Sequence, residues 1–157
     1  MNIKDIAENI AKAFNVKDLE SKDGLLEVEI DGAYVRIEET DGEAFVVTGR
    51  IGEVPSQGNE TFAAIAHEGS YALMLTRAAS VVRESRTGPY LLVERIPRAN
   101  ASDFASFCEA FTTFVDTLNV WRRQLAGFSP ACAMAEEAAA AQKAEAEHAL
   151  RGGFLRA

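Results

Sequence analysis

Residues 25–50 read LLEVEIDGAYVRIEETDGEAFVVTGR, and their pattern decides the fold. Leu26, Val28 and Ile30 alternate with Glu27 and Glu29, the period-2 signature of a half-buried strand. Asp31-Gly32 follows, a dipeptide suited to the two-residue type I′ hairpin, whose central positions both need positive φ. The chain returns through AYVRIEE, with Ala33, Val35 and Ile37 on one side and Tyr34, Arg36 and Glu38 on the other. Asp41-Gly42 marks a second hairpin, and EAFVVTGR is a third strand. Two such turns between short alternating runs predict an antiparallel meander with one face that helices must cover.

Helical periodicity on either side supplies that cover. Upstream, Ile3, Ile6, Ala7, Ile10, Ala13 and Phe14 share one face of a helix over 3–14, with Asn2 as its cap and Asn15 as its stop. KDLESKDG is the polar connector to the meander. Downstream, the Gly- and Pro-bearing loop GRIGEVPSQGN leads to Asn59, the cap of a helix over about 60–76. Phe62, Ile65, Ala66, Gly69, Leu73 and Thr76 lie on one face of it. Gly69 costs about 1 kcal/mol relative to alanine. It either lets another helix approach closely, from this chain or a second copy, or is simply tolerated by the packing. ASVVRE and YLLVERI predict two more strands around Ser85-Arg86-Thr87-Gly88, the second ended by Pro97.

Residues 100–125, NASDFASFCEAFTTFVDTLNVWRRQL, form the third helix. Phe104, Phe107, Cys108, Phe111, Phe114, Val115, Leu118, Trp121 and Leu125 recur in steps of three and four. Asn100 is the expected N-cap with Asp103 three residues on, and Arg122, Arg123 and Gly127 suit the C-terminal end. The order is α-βββ-α-ββ-α, an α+β fold with a twisted antiparallel sheet packed by helices. One domain is expected over 1–127, with 128–157 as a helical extension. There, Ser129-Pro130 opens an alanine-rich stretch that Gly152-Gly153 breaks.

Composition narrows the function. The net charge of −8 is concentrated in residues 1–60, which hold 14 acidic and 6 basic side chains. Such a half repels phosphates and argues against a nucleic-acid partner. No run is long and apolar enough for membrane insertion, and MNIKDIAENIAK lacks the apolar core of a secretory signal. Cys108 and Cys132 make no disulfide framework; Cys108 reads as a small core filler, and cytoplasmic residence is the default. No phosphate loop, nucleophile motif or metal spacing is present, so no catalytic residue, metal ligand or cofactor is expected and an enzyme is the minority reading. His67 stands beside Glu68, but neighbours on a helix point about 100° apart and make a poor metal pair. Glu27 and Glu29 share a strand face that could bind a cation or a basic peptide, or simply face water. YLLV and AFVV carry large apolar groups on both strand faces, so the second face needs a helix, a second subunit, a bound peptide or burial within one subunit.

Taken together, the element order over residues 3–125, the GRIGEVP loop, the YLLVERIP strand and the ending FTTFVDTLNVWRRQL resemble the class I, Tir-chaperone-like, type III secretion chaperones. In that family a glycine and proline loop precedes the second helix, and a comparable strand ends near an R-L-P-like step. Its last helix bears a phenylalanine-valine pair and then a tryptophan, positions held here by Phe114, Val115 and Trp121. The resemblance implies a non-enzymatic homodimer in the bacterial cytoplasm. Such a dimer binds the N-terminal segment of a secreted effector and delivers it to the export machinery, through the secretion ATPase or sorting components. Ile6, Ile10, Phe14, Phe45 and Val47 are the residues it suggests for effector binding, and Leu73, Val81, Leu91 and Val93 for the dimer interface. The alternative is a fold relative acting as a cytoplasmic regulatory or adaptor domain. A small enzyme or ligand-binding α+β protein is a more distant one.

Overall fold

Turn chemistry builds the meander as the sequence reading expects. The computed structural model describes residues 1–14, 19, 21–30, 32–54, 59–85 and 88–128. Strands β1 (Leu25–Ile30), β2 (Ala33–Thr40) and β3 (Ala44–Gly52) follow helix α1 (Ile3–Phe14). Ile30 pairs with Ala33 at the end of the first hairpin, and Gly32 beside them is left-handed (φ 70°). At the second turn Asp41 (φ 43°) and Gly42 (φ 70°) are left-handed, and Glu43 N–H donates to Thr40 O at 2.9 Å. Next come α2 (Asn59–Arg77), β4 (Ala79–Arg83), β5 (Tyr90–Pro97), a single 3-10 turn (Arg98–Asn100) and α3 (Phe104–Gly127). The sheet order is β1-β2-β3-β5-β4, antiparallel throughout. β3 runs to Gly52 with an irregularity between Arg50 and Gly52, so the strand takes up the start of the expected loop.

Alternation along the strands sends Phe45, Val47 and Ile51 of β3 and Leu92 and Ile96 of β5 into one core with the helices. Val46, Thr48, Leu91 and Val93 point to the other face, which no described helix covers. α1 is held by a reciprocal cap: Asn2 Oδ1 accepts from Lys4 and Asp5 N–H (2.9 and 3.0 Å), and Asp5 accepts from Asn2 N–H (2.8 Å). Glu39 of β2 ties this end down. One of its oxygens accepts from Ile3 N–H at 3.0 Å; the other accepts from Arg98, whose guanidinium lies 4.5 Å above the Phe45 ring.

The N-cap of α3 is Asp103, not Asn100. The 3-10 turn after Pro97 already coils the chain at Asn100, so the first extended residue before the helix is Asp103 (φ −134°, ψ 172°). Its carboxylate accepts from Ser106 N–H at 2.9 Å. Phe107, Phe111, Phe114 and Leu118 are fully enclosed, with Phe107 edge-on to Phe45 (5.6 Å) and stacked on Phe111 (5.5 Å). Cys108, expected as core filler, is only half-buried. Two glycines set how closely α3 approaches. A Cβ at Gly49 would stand 2.4 Å from Leu118 Cδ2, and one at Gly69 would stand 2.5 Å from Trp121 Cζ2. Gly69 therefore admits a helix of its own chain. Ile65, placed on the inner face of α2 by periodicity, is 43% exposed. The buried stripe follows Phe62, Ala66, Gly69 and Leu73, and Ile65 falls about 60° to one side of Phe62. The expected C-terminal helix lies outside the described residues.

Candidate functional site

No described side chains converge into a catalytic arrangement, so the site has to be sought among surfaces that could meet a partner. Ile6, Ile10, Phe45 and Val47, the residues expected to grip an effector, are brought together, but inside the core. Each is at most 1% exposed, and α1 covers the strands beneath it. Ile6 and Ile10 pack α1 onto β1 and β2, whereas Phe45 and Val47 lie on β3 beneath α3, where Phe45 meets Phe107 edge-on. The side chain of Phe14 lies outside the described set.

The expected interface residues fall on two sides of the sheet. Leu73 and Val81 are half-buried against the core on the helical side. Leu91 and Val93 are half-buried on the helix-free side. Between these sets lies surface that periodicity did not single out. Tyr71, Met74 and Leu75 are 60%, 56% and 68% exposed, on the side of α2 opposite Phe62, and Val82 of β4 is also exposed. A signal for them existed: α2 is apolar on nearly every side, the mark of a helix with more than one neighbour.

Below the C-terminal turn of α2 a groove of about 760 Å³ runs between β5 and α3, bordered by Met74, Leu75, Ile96, Asn100, Ser106 and Ala110. Its floor holds an ion pair that sequence reasoning missed. Arg77 meets the buried Glu94 carboxylate at 2.7 Å and also donates to Thr113 O and Thr117 Oγ1 (3.2 and 2.7 Å). Burial pushes the Glu94 carboxyl above its usual range, and Arg77 works against that shift. The pair locks α2 to α3 across β5. Glu94 was legible in principle, because it is in phase with Tyr90, Leu92 and Ile96 on the buried face.

On the helix-free face the apolar end, with Val46, Thr48, Leu91, Val93 and Val82, passes into a charged end with Glu27, Glu29, Arg36 and Glu38. Tyr34 is 49% exposed there, and a hydrogen bond to the Glu27 carboxylate raises its pKa. Among the described residues no group of acidic, histidine or cysteine side chains is arranged to hold a metal, and no described helix is long and apolar enough to cross a membrane.

This architecture has known counterparts. The Tir chaperone protein (CesT) family model matches residues 5–122, and the chain belongs to that family. It is a member of the class of small type III secretion chaperones to which its strand and helix pattern pointed. Among curated protein sequences none matches it. Its fold is similar to that of a chain in the crystal structure of the ExsC-ExsE complex (TM-score 0.67, 14% identity, covering 80% of this chain and 97% of that one). It is also similar to a chain of the HopA1-SchA chaperone-effector complex (0.60, 15%, 77% and 93%). A third counterpart is in the Yersinia pestis type III secretion chaperone SycH bound to a stable fragment of YscM2 (0.55, 16%, 75% and 98%). At these identities the likeness is one of fold.

Proposed function

We propose that this chain is a non-enzymatic type III secretion chaperone of the bacterial cytoplasm. It acts as a homodimer and binds the N-terminal chaperone-binding segment of a cognate effector. It prevents that segment from aggregating and presents it, still extended, to the secretion ATPase or sorting machinery. Family membership supports the class, and the fold neighbours include a chaperone-effector complex.

The observation that carries the reading is the apolar surface left exposed among the described residues. A monomer gains nothing by exposing Tyr71, Met74 and Leu75 together on one helix face. A second copy covers them by a two-fold contact of α2 and β4, with Leu73 and Val81 behind the contact and Leu91 and Val93 at its flank. The apolar end of the helix-free sheet face is then left for the effector, with side chains resting on it and backbone pairing at a strand edge.

Light scattering on the purified chain tests the assembly, and a dimer mass is expected; a monomer at micromolar concentration contradicts it. Cargo is tested by capture from the native bacterium. Recovery of a secreted protein bound through its N-terminal segment supports the chaperone reading, and recovery of regulatory proteins alone favours the adaptor alternative.

A further inference from the structure

The apolar end of the helix-free sheet face lies beside the point where the chain leaves the folded body. The Phe128 ring stands 5.4 Å from that of Phe62, which in turn meets Tyr90 at 4.9 Å. Tyr90 opens β5 and pairs with Gly52 at the close of β3 and with Arg83 at the close of β4. The chain therefore passes Phe128 at the end of the sheet from which β5 sets out, with 29 residues (129–157) beyond it. From that end β5 carries Leu91 and Val93 along the helix-free face, flanked by Val46 and Thr48 of β3 and by Val82 of β4.

The segment beyond Phe128 suits this face in composition and in charge. Residues 131–150 are half alanine, with glutamate, glutamine and lysine among them. Such a stretch favours a helix but holds one poorly without a surface to lie on. Alanine's small side chain lets that helix settle closely on the larger valine and leucine side chains. Two arginines bracket the face. Arg50 stands opposite Leu91 and Arg95 opposite Val46, so they are four residues apart along the sheet (91 to 95), about 13 Å. Each meets a glutamate, Glu53 and Glu43 respectively, in an exposed pair that contributes little and is easily exchanged. In helical form Glu137 and Glu145 lie about 12 Å apart on one side, with Ala141 midway. The stretch from Phe128 to Glu137 reaches roughly 30 Å when extended, enough to round the sheet end to Arg50. The outer face of α2 is a poorer match, because its exposed Glu60 and Glu68 repel an acidic segment.

We propose that residues 129–151 of the same chain form a removable cover for the helix-free face. Glu137 meets Arg50, Ala141 lies over Thr48 and Val93, and Glu145 meets Arg95. This is the face that the proposed function leaves for the effector, and the regulatory role of the cover rests on that reading. The cover shields the apolar side chains in the free chaperone and gives way to cargo.

Disulfide trapping on the full chain tests the contact. In a Cys108→Ser, Cys132→Ser background, Thr48→Cys with Ala141→Cys should cross-link within one chain on mild oxidation, whereas Tyr71→Cys with Ala141→Cys should not. A maleimide should label Thr48→Cys about tenfold faster once Glu137→Lys and Glu145→Lys reverse the charges. Adding Arg50→Glu and Arg95→Glu should restore slow labelling. No cross-link at Thr48, a cross-link at Tyr71 or between chains, or labelling that charge reversal leaves unchanged overturns the cover. Capture from the native bacterium is scored separately. The charge-reversed chain should recover more secreted protein than the natural one; equal recovery overturns the competition with cargo. Recovery of no secreted protein by either form overturns the chaperone reading, while an intact cross-link still upholds the cover.

Discussion

Gly69 lies where α2 meets α3, with the Trp121 ring where its Cβ would be. Trp121 is itself wedged beside Phe62 (6.4 Å between ring centres), so the ring has little room to yield. Gly69→Ala should therefore destabilise the chain by about 1–3 kcal/mol in urea denaturation, against the gain expected when alanine replaces glycine in an open helix. A stabilised variant would contradict the packing described. Glu94 has a pH signature. Its folded-state pKa is raised, so between the ordinary glutamate range and the raised value the folded chain binds more protons than the unfolded one, and stability falls as pH rises through that window. Asp103 acts oppositely: the Ser106 N–H lowers its pKa, and its contribution is lost as pH falls through the folded value. Denaturation midpoints across pH should show Glu94→Gln flattening the upper window only; an unchanged slope there would rule the account out. At this scale the sequence was partly legible. The Asn2 cap follows from residue type and position, but the choice of Asp103 over Asn100 depends on a 3-10 turn that no local pattern announces.

Elements were the most legible level, because periods of 2 and 3.6 residues and two Asp-Gly turns are direct consequences of backbone geometry. Burial depth was less so. Periodicity says which side of α1 faces inward; it does not say whether that side meets the sheet or a partner. Ile6, Ile10, Phe45 and Val47 show the difference, since they read as a patch and pack as a core. Phe45→Ala should accordingly cost about 3–5 kcal/mol of stability, measured in urea. A loss near zero would return Phe45 to the surface. α2 was misjudged the other way. Periodicity predicts one inner stripe on it, whereas its apolar side chains lie on two faces. Tyr71→Glu combined with Leu75→Glu should convert a dimer to a monomer in light scattering without loss of helical signal. A variant that stays dimeric moves the interface off this helix.

As a whole, the described residues form a sheet with helices on one face and no described helix on the other. Its acidic residues are concentrated in the first half of the chain, where β1 and β2 form one end of that sheet. Apolar side chains are exposed on α2 and half-buried at the far end of the sheet, and the proposed function has other chains cover both. Which chains these are was not legible from side-chain pattern, because partner choice is written in surface detail distributed over several elements. The central claim is that the partner is a secreted protein held by its N-terminal segment. Affinity capture of the tagged full chain from its native bacterium, with mass spectrometry of the bound proteins, tests it most directly. The account predicts a secreted protein that is recovered with the chain and lost when its N-terminal segment is deleted. Recovery of no secreted protein, or of one that still binds after that deletion, would contradict it.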